Sequence, residues 1–324
     1  MPGQKMASIP NCIDHLKTQP AWIIFLSSLA LFSVFNKCML ILQWVFRAFI
    51  RSPKDLKTYG SWALVTGSTD GIGLAFAFKL AEKGLNLLLV SRNPHRLERI
   101  SGEIQAKYPE IQVKILDLEF SSDSAVSRVD GALTEMIQGL DIGVLINNVG
   151  ITYPGAMYFH EVGENIWMNL VKVNVLGTTH VTKAVIRGMI RRGRGAIVNI
   201  GSGAAIVVPS HPLYAIYAAS KAYVDQLSRS LYLEYKHCGI DIQCQVPLYV
   251  STKMASRVAF VENPSVFIPT AQQYVEAAIR YIGYESRCTP YWAHYIQWCF
   301  ASVVPDSLLD TWRLSIGRRR RRVT

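Results

Sequence analysis

Two side chains able to exchange protons lie four positions apart in this 324-residue chain, at Tyr217 and Lys221. Four positions along a helix place both side chains on one face. An ammonium group beside a phenol lowers the pKa of the phenol from about 10 towards neutral pH, where it can donate or accept a proton usefully. A tyrosine and a lysine also share this spacing by chance. The pair therefore predicts acid–base catalysis only with support from other parts of the chain.

A glycine-rich turn about 150 residues before the pair provides that support. It follows a short apolar strand, predicted over Trp62–Thr66, and it precedes helical spacing from Ile72 to Lys83. A second strand is predicted over Asn86–Ser91, which completes the strand–helix–strand crossover of a dinucleotide-binding fold. Glycines let the backbone approach a pyrophosphate, whose charge the amides and the helix dipole would face. The predicted cofactor contacts in the turn are Gly67, Ser68, Thr69, Asp70, Gly71, Ile72 and Gly73.

The residue after the second strand bears on the choice of cofactor. Folds that prefer NAD place a carboxylate near this point to bind the ribose hydroxyl, whereas this chain has Arg92. An arginine here favours the 2′-phosphate of NADP, although the same side chain would also suit a solvated surface. The sequence therefore predicts NADPH or NADP as the cofactor, with Arg92 among its contacts.

Strands and helical stretches continue to alternate after the crossover. Four more strands are predicted, over Gln112–Leu116, Val144–Ile146, Gly195–Ile200 and Ile242–Val246. This alternation predicts an α/β fold, a Rossmann-type doubly wound parallel sheet with helices on both faces. Ligands of such a sheet bind at the carboxyl ends of its strands. An N-terminal transmembrane helix is predicted to precede the sheet.

That helix is predicted from a long apolar stretch. No charged residue occurs between Ala21 and Asn36, and the apolar character resumes after Lys37 as far as Phe46. The stretch is long enough to span a bilayer, and a lysine near one end can extend its ammonium group to the headgroups. A cleaved signal peptide is the alternative, but no clear cleavage site is present. More basic residues follow the stretch than precede it, which predicts a main domain facing the cytosol.

We divide the chain into an N-terminal segment at 1–20, a membrane anchor at 21–46, a basic linker at 47–60, a main domain at 61–290 and an apolar C-terminal segment with an arginine-rich tail at 291–324. The net charge is +11, and Arg318–Arg322 supply five of the positive charges. This tail could bind anionic lipid or act as a retrieval signal for the endoplasmic reticulum. The apolar residues Tyr295–Val304 are expected to pack on the domain, with contact to the membrane as the alternative.

Composition argues against two classes of partner. The six cysteines lack the spacing of a zinc site, and His160-Glu161-Val162-Gly163-Glu164 has a glutamate where a metalloprotease would need its second histidine. We therefore expect no metal site. The basic tail follows a predicted membrane span, so we expect no nucleic acid partner either.

A series of short motifs occurs in a fixed order along the main domain. Together they resemble the short-chain dehydrogenase/reductase family over roughly residues 60 to 285. Each motif could arise by chance, whereas the ordered set is specific. The motifs are Thr66-Gly67-x-x-x-Gly71-Ile72-Gly73, Asp117, Asn147-Asn148-Val149-Gly150, Asn174, Ser202, Tyr217-x-x-x-Lys221 and Pro247-x-x-Val250-x-Thr252.

The resemblance implies a role for each matched residue. In that family the tyrosine that matches Tyr217 is the general acid for carbonyl reduction, and the serine that matches Ser202 hydrogen-bonds the substrate oxygen. Lys221 would lower the pKa of the tyrosine and hold the ribose hydroxyls. Asn174 would help to hold a water that relays protons to the lysine. The further cofactor contacts implied are Asp117, Asn148, Val250 and Thr252.

Three features depart from the family pattern, and one of them, Val149 in place of a usual alanine, is minor. Ser202 precedes Tyr217 by fifteen residues, two more than is usual. Either the intervening loop carries two extra residues, which we favour because Ser202 directly follows a predicted strand, or Ser210 is the serine in question. In addition, Leu248 replaces the glycine that commonly follows Pro247, which is expected to alter the lid beside the nicotinamide.

Within the family, the apolar anchor, the run Gln245–Met254 and the segment Cys288–Trp292 resemble the very-long-chain 3-oxoacyl-CoA reductases of microsomal fatty acid elongation, the plant type especially. The resemblance implies NADPH-dependent reduction of a long 3-oxoacyl-CoA at the endoplasmic reticulum membrane. Lys253 and Arg257 would meet coenzyme A phosphates or simply form a solvated lid face. Membrane lipid, other elongation enzymes and a homodimer are the partners that we consider.

Two other functions remain open on the sequence. One is a 17β-hydroxysteroid dehydrogenase-type oxidoreductase, because steroid ketones are also apolar and partition into membranes. The other is a noncatalytic dinucleotide-binding subunit of a membrane complex. The noncatalytic role is disfavoured because the chain retains Tyr217, Lys221 and Asn174. It stays open because the interval between Ser202 and Tyr217 is unusually long.

Overall fold

The computed structural model describes residues 20–261 and 263–322, so the predicted segment 1–20 lies outside the described residues except for Pro20. The chain divides into two compact units between Arg51 and Ser52. In the first unit, helix α1 (Ala21–Val45) continues as a π-helical turn (Phe46–Ile50). This 30-residue stretch is long and apolar enough to cross a membrane, and no residue in its most apolar part is buried. It is a candidate transmembrane helix.

The second unit is built on a seven-stranded parallel sheet with the strand order β3-β2-β1-β4-β5-β6-β7. Strands β1, β2 and β5 have the predicted bounds, and β3, β4 and β6 differ from prediction by one or two residues. Strand β7 was not predicted, because two residues are too short for a recognisable pattern. The strands are β1 (Trp62–Thr66), β2 (Asn86–Ser91), β3 (Val113–Asp117), β4 (Ile142–Asn147), β5 (Gly195–Ile200), β6 (Ile240–Gln245) and β7 (Arg287–Cys288).

Helices cover both faces of this sheet. Helices α2, α3 and α11 enclose one apolar core, and α7 and α9 contribute to the core on the other face. The predicted doubly wound fold is thereby confirmed. The helices of this unit are α2 (Gly71–Glu82), α3 (Pro94–Lys107), α4 (Ala125–Arg128), α5 (Thr134–Ile137), α6 (Glu164–Leu170), α7 (Thr178–Arg192), α8 (Gly203–Ile206), α9 (Ala215–Tyr235), α10 (Lys253–Ala259), α11 (Ala271–Ile279), α12 (Trp292–Ala301) and α13 (Asp306–Arg321).

The structure differs from the predicted linker at 47–60. Residues from Ser52 onward belong to the second unit, and Leu56 and Tyr59 are buried in its core. The Tyr59 hydroxyl donates to Asp241, and the Lys54 ammonium lies 3.0 Å from the same carboxylate. Burial, followed by the contact with Asp241, raises the pKa of Tyr59. These long-range contacts involve polar residues that have no periodic pattern, so the sequence alone did not indicate them.

The predicted boundary at residue 290 is likewise absent from the fold. Helices α12 and α13 belong to the same unit as the sheet, with Ala293, His294 and Leu309 buried. Helices α12 and α13 thus pack on the domain through these residues. Within Tyr295–Val304 itself no residue is buried, and Ile296, Phe300 and Val303 are exposed, so the choice between packing and membrane contact stays a prediction.

Candidate active site

The glycine-rich turn joins β1 to α2 in a conformation that requires glycine. Gly67 and Gly71 have φ values of +62° and +54°, in the left-handed region that residues with a Cβ rarely adopt. At Gly73 a Cβ would lie 2.2 Å from the carbonyl oxygen of Gly67, so no larger residue fits. The start of α2 thus packs directly against the turn, and the cradle that results fits a pyrophosphate.

The other residues of the turn divide into two groups. Ser68 is fully buried and bonds the Val90 carbonyl at 3.4 Å, so it supports the turn from beneath. The hydroxyl of Thr69 lies 2.8 Å from that of Ser91. The Asp70 carboxylate accepts from the Gly71 amide at 2.8 Å and so caps α2.

Asp70 also links the turn to two neighbouring elements. Its carboxylate lies 3.1 Å from the Lys253 ammonium and 3.6 Å from the Arg96 guanidinium. Arg96 was missed by the sequence analysis, although its position in the first turn of α3, next to Arg92, was a usable signal. Each pair is partly exposed and contributes little stability alone. The Lys253 pair holds α10 close to the turn, and the Arg96 pair does the same for α3.

The residues predicted for the ribose and adenine lie along β2, β3 and β4. Asn148 donates to the carbonyls of Thr66 and Gly67, each at 3.1 Å, and so joins β4 to the turn. The Arg92 side chain is 68% exposed, with its guanidinium 3.7 Å from Glu119. The Asp117 carboxylate lies 3.3 Å from Arg128.

Tyr217 and Lys221 lie on α9, and Ser202 is the N-cap of α8 directly after β5. Burial raises the pKa of Tyr217, and the neighbouring Ser202 hydroxyl opposes this rise only in part. The effect of Lys221 on the pKa of Tyr217 stays a prediction. The Lys221 ammonium donates to the Ile200 carbonyl at 2.8 Å, and burial lowers its own pKa to about 8. The structure thus holds Tyr217 protonated, the form that can give a proton to a ketone.

The position of Ser202 bears on the unusual interval before Tyr217. The short helix α8 accommodates the longer loop, and the Ser202 hydroxyl accepts from the Ala204 amide at 3.2 Å. Ser210 is exposed and its hydroxyl bonds Asp310 on α13. The structure therefore brings Ser202, and not Ser210, to the tyrosine.

Asn174 lies in a π-helical segment (Val171–Gly177) between α6 and α7 and is buried. Its amide oxygen accepts from the Ile151 amide at 2.8 Å, and its nitrogen donates to the Ile151 carbonyl and to Ser220, each at 2.9 Å. A Cβ on Gly150 would lie 3.3 Å from the Lys221 ammonium and 3.4 Å from the Asn174 oxygen. Asn174 and Lys221 are therefore neighbours, and the water relay stays a prediction.

A lid at residues 247–252 follows β6 and is fixed by a buried histidine. His294 accepts the Leu248 amide proton at Nδ1, at 3.3 Å, and its Nε2 donates to the Tyr249 carbonyl at 3.1 Å. Val250 is buried, and the Thr252 hydroxyl caps α10 by accepting from Ala255 at 3.3 Å. His294 was not identified from the sequence, because it lies more than forty residues from the lid and belongs to no motif.

These elements line one cavity of about 1590 Å³. Its size and the glycine cradle at one part of it fit a dinucleotide together with a substrate. Four predicted residues support the site without lining the cavity: Ser68, Gly73, Asp117 and Asn174. The predicted residues that line it are Gly67, Thr69, Asp70, Gly71, Ile72, Arg92, Asn148, Ser202, Tyr217, Lys221, Val250 and Thr252.

One wall of the cavity comes from α12 and α13, which the sequence analysis had not placed there. Its apolar part includes Phe300, Leu308 and Trp312, and its polar part includes Arg313 and Arg320. The apolar stretch was visible in the sequence, but nothing local showed which surface it covers.

Comparison with known proteins agrees with this geometry. The family model described as short chain dehydrogenase matches residues 61–261. A protein of Arabidopsis thaliana named very-long-chain 3-oxoacyl-CoA reductase-like protein is 58% identical over 87% of this chain and 89% of its own. The very-long-chain 3-oxoacyl-CoA reductase of Mus musculus is 37% identical over 76% of each chain. The human protein named inactive hydroxysteroid dehydrogenase-like protein 1 is 34% identical over 94% of this chain and 90% of its own.

Solved structures show the same architecture. A short-chain dehydrogenase from Sphingobium yanoikuyae in complex with NADPH has a TM-score of 0.59 and 30% identity, over 67% of this chain and 82% of the other. A 7β-hydroxysteroid dehydrogenase has a TM-score of 0.71 over 80% of this chain and 99% of the other, and at 21% identity it shows the fold alone. The site accordingly takes a nicotinamide dinucleotide. The chain belongs to the short-chain dehydrogenase family of oxidoreductases.

Proposed function

We propose that this protein reduces very-long-chain 3-oxoacyl-CoA to 3-hydroxyacyl-CoA with NADPH, as a step of membrane-bound fatty acid elongation. The observation that carries the proposal is the single cavity that joins the glycine turn to the Ser202–Tyr217 pair and continues along the apolar wall of α12 and α13. The names of the Arabidopsis and mouse relatives support the substrate class.

The residues of the site suit ketone reduction. A bound nicotinamide cofactor supplies the hydride, which would leave negative charge on the substrate oxygen. Hydroxyl groups of Ser202 and Tyr217 would hold that oxygen, and Tyr217 would give it a proton. The buried ammonium of Lys221 adds positive charge beneath the site, which favours the developing oxyanion.

The cavity wall suits a long acyl chain. Phe300, Leu308 and Trp312 line the cavity and are also exposed at its rim, at 71%, 60% and 52%. Each methylene that moves from water to such a surface contributes about 0.8 kcal/mol. A long chain would therefore supply much of the binding free energy, and a small soluble ketone would supply little.

The preference for NADPH is proposed from Arg92. Arg92 lines the cavity at the end of β2, and Arg96 lines it one helical turn further on. We expect Arg92→Ala to raise the KM for NADPH by about 10- to 100-fold, which corresponds to the free energy of one charge-assisted hydrogen bond. The KM for NADH should stay unchanged. The control is Arg99→Ala, because Arg99 is equally exposed on α3 and pairs with Glu103. Similar KM values for the two cofactors in the unmodified protein would contradict the assignment.

The reaction is tested with the full-length protein in detergent, by following NADPH oxidation with 3-oxostearoyl-CoA or an apolar 17-ketosteroid. We expect turnover of the acyl-CoA, and Tyr217→Phe should lower kcat by about 10²- to 10⁴-fold, as for loss of a general acid. Tyr223→Phe is the control, because that hydroxyl lies on the same helix and bonds Thr179 at 2.8 Å. Preferential turnover of the steroid would favour a hydroxysteroid dehydrogenase. NADPH binding without turnover of either ketone would favour a noncatalytic role, like that implied by the name of the human relative.

We further propose that α1 anchors the protein in the endoplasmic reticulum membrane with the catalytic domain in the cytosol, beside other elongation enzymes and as a homodimer. The apolar α1 and the excess of basic residues after it support this orientation. An epitope at the C-terminus should be digested by protease in intact microsomes, and protection of that epitope would reverse the orientation. Cross-linking in the same microsomes tests the assembly.

A further inference from the structure

Among the described residues, one buried hydroxyl in the cavity has no well-formed hydrogen-bond partner. Tyr214, next to the start of α9, lines the cavity and is 2% exposed. Its ring packs against Tyr153 and His211, with centroids 5.6 and 5.3 Å apart. Among the described residues its hydroxyl makes no well-formed hydrogen bond, although the Arg320 guanidinium is near enough to oppose the rise in its pKa caused by burial. A buried polar group without a partner is costly, so this hydroxyl is available to bond a water or a ligand in the cavity.

A second phenol lies beside it. Arg320 on α13 donates to the Tyr249 hydroxyl at 3.2 Å, and its guanidinium is 5.6 Å from the ring centroid. Because a guanidinium only donates, this bond uses the acceptor side of the phenol oxygen and leaves the hydroxyl proton for another partner. Arg313 and Arg320 together lower the pKa of Tyr249 in spite of its burial. Tyr249 is therefore a strong hydrogen-bond donor on the cavity wall.

The charge of the two arginines is not offset by the adjacent histidine. Arg313 donates to the ring of His211 at 2.8 Å, and burial, reinforced by Arg313 and Arg320, lowers the pKa of His211 to about 3. His211 is thus neutral and serves as an acceptor that orients Arg313.

The backbone at this place is also strained. Leu213, directly before Tyr214, has φ +67°, which is uncommon for a residue other than glycine. A Cβ on Gly317 of α13 would lie 2.5 Å from the Leu213 side chain, so the close approach of α13 needs this glycine. Strain of this kind persists where the surrounding structure holds it, often at ligand sites.

We propose that Tyr214, Tyr249, Arg313 and Arg320 form a second binding site in the cavity, for an oxygen that accepts hydrogen bonds and donates none. The inference rests on the proposed function, since in a 3-oxoacyl-CoA the thioester carbonyl is such an oxygen, two carbons from the ketone that is reduced. The site is next to Tyr217, which follows Tyr214 by three residues and whose pKa responds to Tyr249. Coenzyme A phosphate oxygens have the same acceptor chemistry. A lone ketone on a hydrocarbon body offers no second acceptor nearby.

The test uses the full-length protein in detergent with NADPH and three ligands of equal acyl length. These are a 3-oxoacyl-CoA, the same acyl group on N-acetylcysteamine, which has no phosphate, and a 2-alkanone as a competitive inhibitor. For Tyr214→Phe and Tyr249→Phe we expect kcat/KM to fall by about 10-fold on both thioesters, which corresponds to the free energy of one hydrogen bond. The inhibition constant of the alkanone should stay unchanged. Tyr223→Phe, at an exposed tyrosine, should change neither quantity.

A stability measurement separates ligand binding from folding. Since the Tyr214 hydroxyl has no well-formed bond among the described residues, Tyr214→Phe should not lower the thermal unfolding midpoint of the protein without ligand. A loss of kcat/KM confined to the CoA thioester would keep the site and assign it to phosphate. Unchanged kcat/KM on both thioesters, or an equal loss on all three ligands, would overturn the site while leaving the proposed function intact. Failure of the unmodified protein to reduce either thioester would overturn both.

Discussion

Acidification should destabilise the protein through His294, which is fully buried on α12. The ring accepts the Leu248 amide proton and donates to the Tyr249 carbonyl, so the folded protein holds the imidazole neutral. Burial lowers the pKa of His294 from 6.5 to about 4. Between these values the unfolded chain binds a proton that the folded chain does not. The stability associated with the neutral ring is therefore complete above about pH 6.5 and is lost as the pH falls towards 4.

The size of the effect follows from the two pKa values. One pKa unit corresponds to about 1.4 kcal/mol, so the full loss is about 3 kcal/mol, of which about 2 kcal/mol should be gone by pH 5. His211, whose pKa burial also lowers, adds a loss of the same sign. The assay is urea unfolding of the full-length protein in detergent, followed by tryptophan fluorescence at pH 7.5, 6 and 5.

The variant His294→Phe isolates the contribution of this ring. It leaves the Leu248 amide and the Tyr249 carbonyl without their partner, so it should be less stable than the unmodified protein at pH 7.5, by about 1 to 3 kcal/mol for each group. At pH 5 the difference should shrink by about 2 kcal/mol, because the variant has no imidazole to protonate. His237→Gln, at an exposed histidine, should follow the unmodified protein throughout. A constant difference between His294→Phe and the unmodified protein from pH 7.5 to pH 5 would refute the reasoning.

Further predictions concern the turn and the catalytic serine. Gly73→Ala should greatly weaken NADPH binding in a fluorescence titration and lower the thermal midpoint, because its Cβ would lie 2.2 Å from the Gly67 oxygen. Gly102→Ala, within the exposed part of α3 with no atom near the new Cβ, should be neutral or slightly stabilising in both measurements. Ser202→Ala should lower kcat by about 10²- to 10³-fold through loss of a hydrogen bond to the developing oxyanion. Ser210→Ala should change kcat by less than about twofold if the placement is right, and the reverse order of effects would show that it is wrong.

The fold was predictable because its signals are local. Each strand is a short apolar run bounded by turn residues, and the alternation with helical stretches implies parallel strands. The glycine turn was predictable for a related reason. Three glycines at positions 67, 71 and 73, between a strand and a helix, are typical of a dinucleotide-binding turn. The membrane helix was predicted from length and hydropathy alone, and α1 has both.

The site was predictable only in part. Helical spacing correctly placed Tyr217 and Lys221 on one helix, yet it did not show that the lysine bonds a strand carbonyl and that burial raises the pKa of the tyrosine. Burial depends on every element that covers a residue, and most of those elements are distant in sequence. The same limit applies to Ser202, whose contact with Tyr217 depends on the path of the loop between them.

The sequence by itself determined three features: the Tyr217–Lys221 spacing, the glycine turn and the alternation of strands and helices. Each of them depends on residues that lie close together along the chain. Tertiary structure alone decided that α12 and α13 close one wall of the cavity, that His294 holds the lid, and that Arg320 reaches Tyr249. These contacts join residues that lie tens of positions apart, and their free energies depend on packing and desolvation that no local pattern records.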